Sequence, residues 1–180
     1  MAQFRAFSPS VEVNGETVLA VVKGLGAFKE RAMKLLAENG IPDIKPGGWY
    51  NQQSWLNVFK VVAEKLGPAT LYMIGKEIPE SANFPPGIDS IEKGLSLIDI
   101  AYHMNHRGGE IGEYKFVKIG DKKAKMICAN PYPCDFDRGL IEAVARKFKT
   151  KEILSVNIKH DDTQPCRKKG HDSCSYNIDW

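Results

Sequence analysis

Apolar residues along this chain recur with two different periods. "VEVNGETVLAVV" places two β-rich runs around Asn14-Gly15, a dipeptide that accepts positive φ at both positions, and predicts a β-hairpin. The spacing then lengthens. Phe28, Ala32, Leu35 and Leu36 recur at the helical period, and "ENGIP" ends that predicted helix with glycine and proline. Trp55, Phe59, Val62, Ala63 and Leu66 form one stripe of a second helix in "SWLNVFKVVAEKLG". "ATLYMIGKEI" predicts a short helix that "PESANFPPG" breaks. Ile91, Leu95, Ile98 and Tyr102 stand at i, i+4, i+7 and i+11, which predicts a third long helix over "IDSIEKGLSLIDIAYHMNH", stopped by "RGG".

Beyond that point the period shortens again. "GEYKFVKI" and "KAKMICA" flank Gly120-Asp121 as two strands, and "FDRGLIEAVARKF" follows as a helix with Phe136, Leu140, Val144 and Phe148 on one face. In "LSVNI" the residues Leu154, Val156 and Ile158 alternate with polar ones; in "CSYNIDW" Cys174, Tyr176, Ile178 and Trp180 do the same. Strands and helices come in runs, without β-α-β alternation. The expected class is therefore α+β, an antiparallel sheet packed against several helices, with an N-terminal β-hairpin. No linker or repeat divides the chain. A single domain over 1–180 is expected, with the hairpin and helices in 1–108 and the motif-bearing sheet and helix in 109–180.

Composition narrows the function classes. A chain of 180 residues can bury a core without covalent staples. Its 25 basic and 22 acidic side chains nearly balance, and the densest basic run, Arg167-Lys168-Lys169, is too short to track a phosphate backbone and reads as a solvated face. Nucleic acid is not an expected partner. Neither is a membrane, since no segment approaches the ~20 apolar residues of a span. "MAQFRAFSPSVEVNG" lacks a basic start followed by an apolar stretch, so the expected compartment is the cytoplasm. A reducing compartment disfavours a disulfide and leaves metal binding or free thiols.

The cysteines carry most of the candidate chemistry. Cys174 shares the inward phase of Tyr176 and Ile178, and Cys166 lies across the "RKKG" turn, where Gly170 permits a tight reversal. Two thiolates on a turn make half of a tetrahedral zinc site. Their seven-residue spacer is longer than a zinc knuckle, so spacing alone leaves two buried thiols as an equal reading. Cys134, in "NPYPCDFDRGL", opens a helix whose free N–H groups favour a thiolate. "KHDD" offers His160, Asp161 and Asp162, and three cysteines with one histidine or carboxylate would close a structural site. Cys128 shares the strand phase of Ala124 and Met126 and reads as core.

The ending C-x3-G-x3-C-x-Y-x-I, from Cys166 to Ile178, preceded by the helix start Cys134-x-Phe136-x-x-Gly139, resembles the 4-vinyl reductase domain. That domain belongs to a wider ligand-binding fold shared with haem nitric-oxide sensors and TRAPP trafficking subunits. Specific motifs cover the last third of the chain; before it only the order of elements matches. Phenol-sensing activators with this domain hold zinc through three cysteines and a glutamate, so the resemblance implies a structural zinc on Cys134, Cys166 and Cys174. Thr163 occupies the glutamate's position. A one-residue insertion at Pro165 would bring Asp162 into the role, and His160 is the chemical alternative.

The resemblance also implies a small hydrophobic or aromatic ligand between helices and sheet. The candidates are His103, Tyr102, Trp55, Tyr72 and Tyr114, with Trp49, Tyr50, Met73 and Phe116 nearby. His103, about 100° around the helix from the core stripe, is expected to line the largest internal cavity, and His106 to cap the helix end. Either histidine could serve a haem iron. The Tyr-x-Ser-x-Arg clamp of the haem-sensing relatives is absent, however, so the expectation runs against haem. No nucleophile elbow, phosphate loop, dinucleotide fingerprint or HExxH is present, which disfavours an enzyme. The leading expectation is a sensory or regulatory domain with a structural zinc, acting as a homodimer or on a separate output protein. A tetrapyrrole-binding or tetrapyrrole-modifying protein and a TRAPP-like interaction module are the alternatives.

Overall fold

The computed structural model describes residues 3–26 and 29–180. In chain order it contains β1 (Glu12–Asn14), α1 (Gly15–Gly24), α2 (Lys29–Glu38), β2 (Trp49–Asn51), α3 (Gln52–Lys65), α4 (Pro68–Ser81), α5 (Ile91–Ser96), α6 (Ile98–Met104), β3 (His106–Arg107), β4 (Glu113–Gly120), β5 (Lys123–Ala129), α7 (Cys134–Lys147), β6 (Asn157–His160) and β7 (Cys174–Asp179). Phe28, assigned above to the stripe of the first predicted helix, lies outside the described residues.

Two antiparallel sheets result, a small one in the order β2-β1-β3 and a larger one in the order β4-β5-β7-β6. The α+β class is as expected, and the N-terminal strand does pair in a sheet. Its partners, however, come from far along the chain: Val13 faces Tyr50 on one side and His106 on the other. Asn14-Gly15 is not a hairpin turn. The Asn14 side chain accepts from the Thr17 N–H at 3.0 Å and caps α1. Asparagine serves turns and N-caps equally well. The tertiary packing decides here, because a Cβ on Gly15 would collide with the Lys45 carbonyl.

The long helix expected over 88–106 is two short ones. Leu97 ends α5 and its N–H bonds back to the Lys93 and Gly94 carbonyls before α6 begins. Ile91, Leu95, Ile98 and Tyr102 all remain buried, so the stripe survives the break. The strand expected from Leu154 begins only at Asn157, and Leu154 is 92% exposed. Pairing with β7 starts where Asn157 faces Asp179, so the preceding residues have no partner in that ladder, although Val156 is buried in the core.

The contact between α4 and α7 positions the site. A Cβ on Gly75 would meet the Phe136 carbonyl, and one on Gly139 the Tyr72 carbonyl, so two glycines let the backbones touch. This presses the N-terminus of α7 onto the sheet beneath it. Trp55, Phe59, Tyr132 and Phe136 pack edge to face or tilted around that junction, with ring centroids 4.7 to 5.7 Å apart. Among the described residues, no helix is long and apolar enough to cross a membrane.

Candidate functional site

Four elements converge on one cluster. Cys134 is the first residue of α7, Cys174 the first of β7, His160 the last of β6, and Cys166 precedes a 3-10 turn over Arg167–Lys169 that ends at Gly170 with φ +85°. Cys134 Sγ lies 2.9 Å from Cys174 Sγ, and each lies 3.7 Å from Cys166 Sγ. All three are buried free thiols. The ligand atoms of the three cysteines and His160 lie within 4.8 Å of one another. His160 Nδ1 sits 2.8 Å from Asp162 Oδ1, while its Nε2 is buried without a hydrogen-bond partner. Asp162 thus stands behind the histidine, 88% exposed, instead of beside the sulfurs.

The orphan nitrogen is informative, since a buried acceptor or donor without a partner costs free energy that a metal would offset. A carboxylate on one imidazole nitrogen fixes the tautomer and presents the other to a metal. The donor set, three soft thiols and an imidazole, fits a closed tetrahedral zinc site. The hydrogen bond from Cys134 draws Cys174 down to about 3, with Arg167 adding to the pull, and that same bond together with burial pushes Cys134 well up.

Arg167 is not part of a solvated face; it is 2% exposed and ion-paired with the fully buried Asp137. Its guanidinium also donates to the backbone and side-chain oxygens of Asn130, and its backbone N–H and Nε approach Cys174 Sγ at 3.4 and 3.5 Å. Asp137 Oδ1 accepts from the Tyr114 hydroxyl at 2.6 Å. Neither charged residue stands out as functional in the sequence. A signal existed in Asp137, Ile141 and Val144, which stand at i, i+4 and i+7 and make an acid interrupt an apolar stripe.

Beside this pair lies an apolar cavity of about 30 Å³ walled by Tyr102, Tyr114, Tyr132, Phe136 and His106. That is room for about two water-sized probes. His106 bonds a last-turn carbonyl of α6, as expected of a residue at that helix end, and it also faces inward. It lies in β3, where Nδ1 donates to the Tyr102 carbonyl at 2.8 Å and Nε2 accepts from the Tyr132 hydroxyl at 2.6 Å. Burial lowers its pKa to about 4, so the ring is neutral.

Of the pocket residues expected from the sequence, Tyr102 and Tyr114 line this cavity. His103 does not. Its side chain is 54% exposed, and Nδ1 bonds to the Asp99 carbonyl of its own helix at 2.9 Å. On a helix this short, Ile98, Ala101 and Tyr102 fill the inner face, and the next position turns to solvent. Trp55 sits in the core against Phe59, away from the cavity lining. Tyr72 lies on α4 under the Arg138 guanidinium, 4.7 Å from its ring centroid.

No family model and no curated protein sequence matches the chain. Solved structures do. An H-NOX protein from S. oneidensis in the Fe(II)NO ligation state shares 14% identity with a TM-score of 0.65, covering 92% of this chain and 98% of its own. An oxygen-binding H-NOX domain related to soluble guanylate cyclases shares 19% with a TM-score of 0.60, covering 92% and 94%. A protein studied for the modulation of heme redox potential through porphyrin distortion shares 16% with a TM-score of 0.63, covering 93% and 100%. These neighbours overturn the expectation against haem: the absence of the clamp motif does not exclude the cofactor in a chain whose structural neighbours include a heme protein. The neutral His106 fits the donor chemistry of an axial haem ligand. In this conformation the aromatic wall closes over it. The ligand-binding fold shared with haem sensors is supported, whereas the 4-vinyl reductase family is not matched; the chain has the fold of the H-NOX domains.

Proposed function

We propose that this chain is a small-molecule-binding sensory domain of the tetrapyrrole-binding kind, with His106 as the group that meets the guest and a structural zinc on Cys134, Cys166, Cys174 and His160. The observation that carries the first part is the His106 nitrogen. It is an imidazole acceptor held neutral at the wall of an apolar cavity, with its tautomer set by the Tyr102 carbonyl. A bound haem would supply an iron able to take a diatomic gas. The residues of this chain would exclude water from it and hold the imidazole. A guest of that size requires Tyr132 to release His106 and the aromatic wall to part.

The zinc reading rests on the orphan Nε2 of His160 and on the Asp162 carboxylate behind it. It favours His160 over Asp162 as the fourth ligand and leaves no open coordination position, so the metal would stabilise the fold instead of catalysing. The C-x3-G-x3-C ending supports kinship with zinc-bearing 4-vinyl reductase domains.

Reconstitution with hemin tests the tetrapyrrole reading. A Soret band reaching one equivalent in the wild type, retained in His103→Ala and lost in His106→Ala, is expected. If the wild type develops no such band, the tetrapyrrole assignment is wrong.

A further inference from the structure

We infer that the cysteine cluster and the cavity are coupled through a buried relay, Cys174–Arg167–Asp137–Tyr114, so that metal loading and the state of the cavity wall influence each other. The inference rests on the zinc reading above. Every member of the relay is buried: Cys174 and Asp137 are 0%, Arg167 2% and Tyr114 3% exposed. Each link is a hydrogen bond or ion pair between side chains: Tyr114 donates to Oδ1 of Asp137, Arg167 holds Oδ2, and Arg167 also donates to the Cys174 sulfur. At one end stands a wall residue of the cavity, and at the other a zinc ligand.

One guanidinium therefore serves two acceptors, the Cys174 sulfur and the Asp137 carboxylate, where low dielectric makes each interaction strong. Zinc binding gathers three thiolates into a complex of net negative charge, which draws Arg167 toward Cys174 and away from Asp137. Asp137 then holds the Tyr114 hydroxyl more strongly. In the reverse direction, a guest that takes the Tyr114 hydroxyl as its own donor leaves Asp137 more negative. Arg167 is drawn off the thiolate, and the net negative charge of a three-thiolate zinc complex loses its nearby cation. Coupling between two sites is reciprocal by thermodynamic necessity. Arg167 and Asp137 are positioning residues in this scheme, since neither touches the guest.

The alternative is that the pair only holds the fold together, and a matched control separates the two. The Tyr102 hydroxyl lines the same cavity and is equally buried, but it donates to the Ile111 carbonyl and stands outside the relay. Zinc affinity, measured by competition with a chromophoric chelator, is expected to weaken at least about threefold in Tyr114→Phe and to change less than about twofold in Tyr102→Phe, the lower edge of typical coupling between sites. Equal effects in both variants overturn the relay. Should Tyr114→Phe fail to fold, ¹³C-tyrosine spectra of the wild-type protein decide: zinc titration should move the Tyr114 ring resonance and leave Tyr102 in place, and an unmoved Tyr114 overturns the relay. A wild-type protein that binds no zinc overturns the zinc reading along with it. One that binds zinc with Tyr114 indifferent overturns the relay alone.

Discussion

His160 and Asp162 are joined by a 2.8 Å contact between Nδ1 and Oδ1, and this contact leaves the other ring nitrogen buried beside three thiols. Two residues that compete for one role in the sequence are arranged in series in the structure. The histidine meets the sulfurs and the carboxylate orients the histidine.

The two variants should therefore differ. His160→Ala removes the proposed fourth ligand and is expected to carry far less zinc than wild type by elemental analysis of the purified protein. Asp162→Asn keeps the ligand and weakens its orientation, so it should retain zinc with an affinity lower by about 10- to 100-fold. Identical loss in both would place the carboxylate on the metal itself. Cys166→Ser should melt lower than wild type in step with its loss of metal, because structural zinc binding is folding free energy.

The neutral state of His106 makes a pH prediction. Burial lowers its pKa from 6.5 to about 4 in the folded protein, whereas the unfolded chain keeps the ordinary value. Between those values the unfolded state binds the proton and the folded state does not, so stability is fully present above about pH 6.5 and falls as pH drops toward 4. The difference corresponds to roughly 3 kcal/mol. Urea unfolding of wild type against His106→Gln at pH 7 and pH 4 should show the wild type losing about that much more. Parallel losses in the two proteins would mean that His106 is not buried neutral.

Gly139→Ala tests the contact that seats α7. The added Cβ would meet the Tyr72 carbonyl, a backbone atom that cannot swing aside. A destabilisation of about 1–3 kcal/mol or above is expected from the overpacking, read as a lowered urea midpoint. A variant as stable as wild type would show that the two helices can part without cost.

The sequence by itself determined the elements whose patterns are local. Alternation in "CSYNIDW" turned Cys174, Tyr176 and Ile178 inward, and all three are buried. The stripe through Phe136, Leu140 and Val144 specified α7, and the α+β order followed from the succession of periods. Spacing alone did not group Cys134, Cys166 and Cys174; the motif resembling the 4-vinyl reductase domain singled out these three thiols, and they do come together. Tertiary structure alone decided what depends on contacts between distant segments. Asn14 became a cap instead of a turn because a distant loop packs against Gly15. Arg167 became a buried ion instead of part of a charged face because Asp137, thirty residues earlier, meets it under α7. Of two neighbouring histidines, His106 and not His103 turned to the cavity, because β1 pairs with residues 106–107 and carries His106 into the core. Periodicity reports which face of its own element a residue occupies; burial of a charge or the aim of an imidazole is set by whichever segment, remote in sequence, packs against that face.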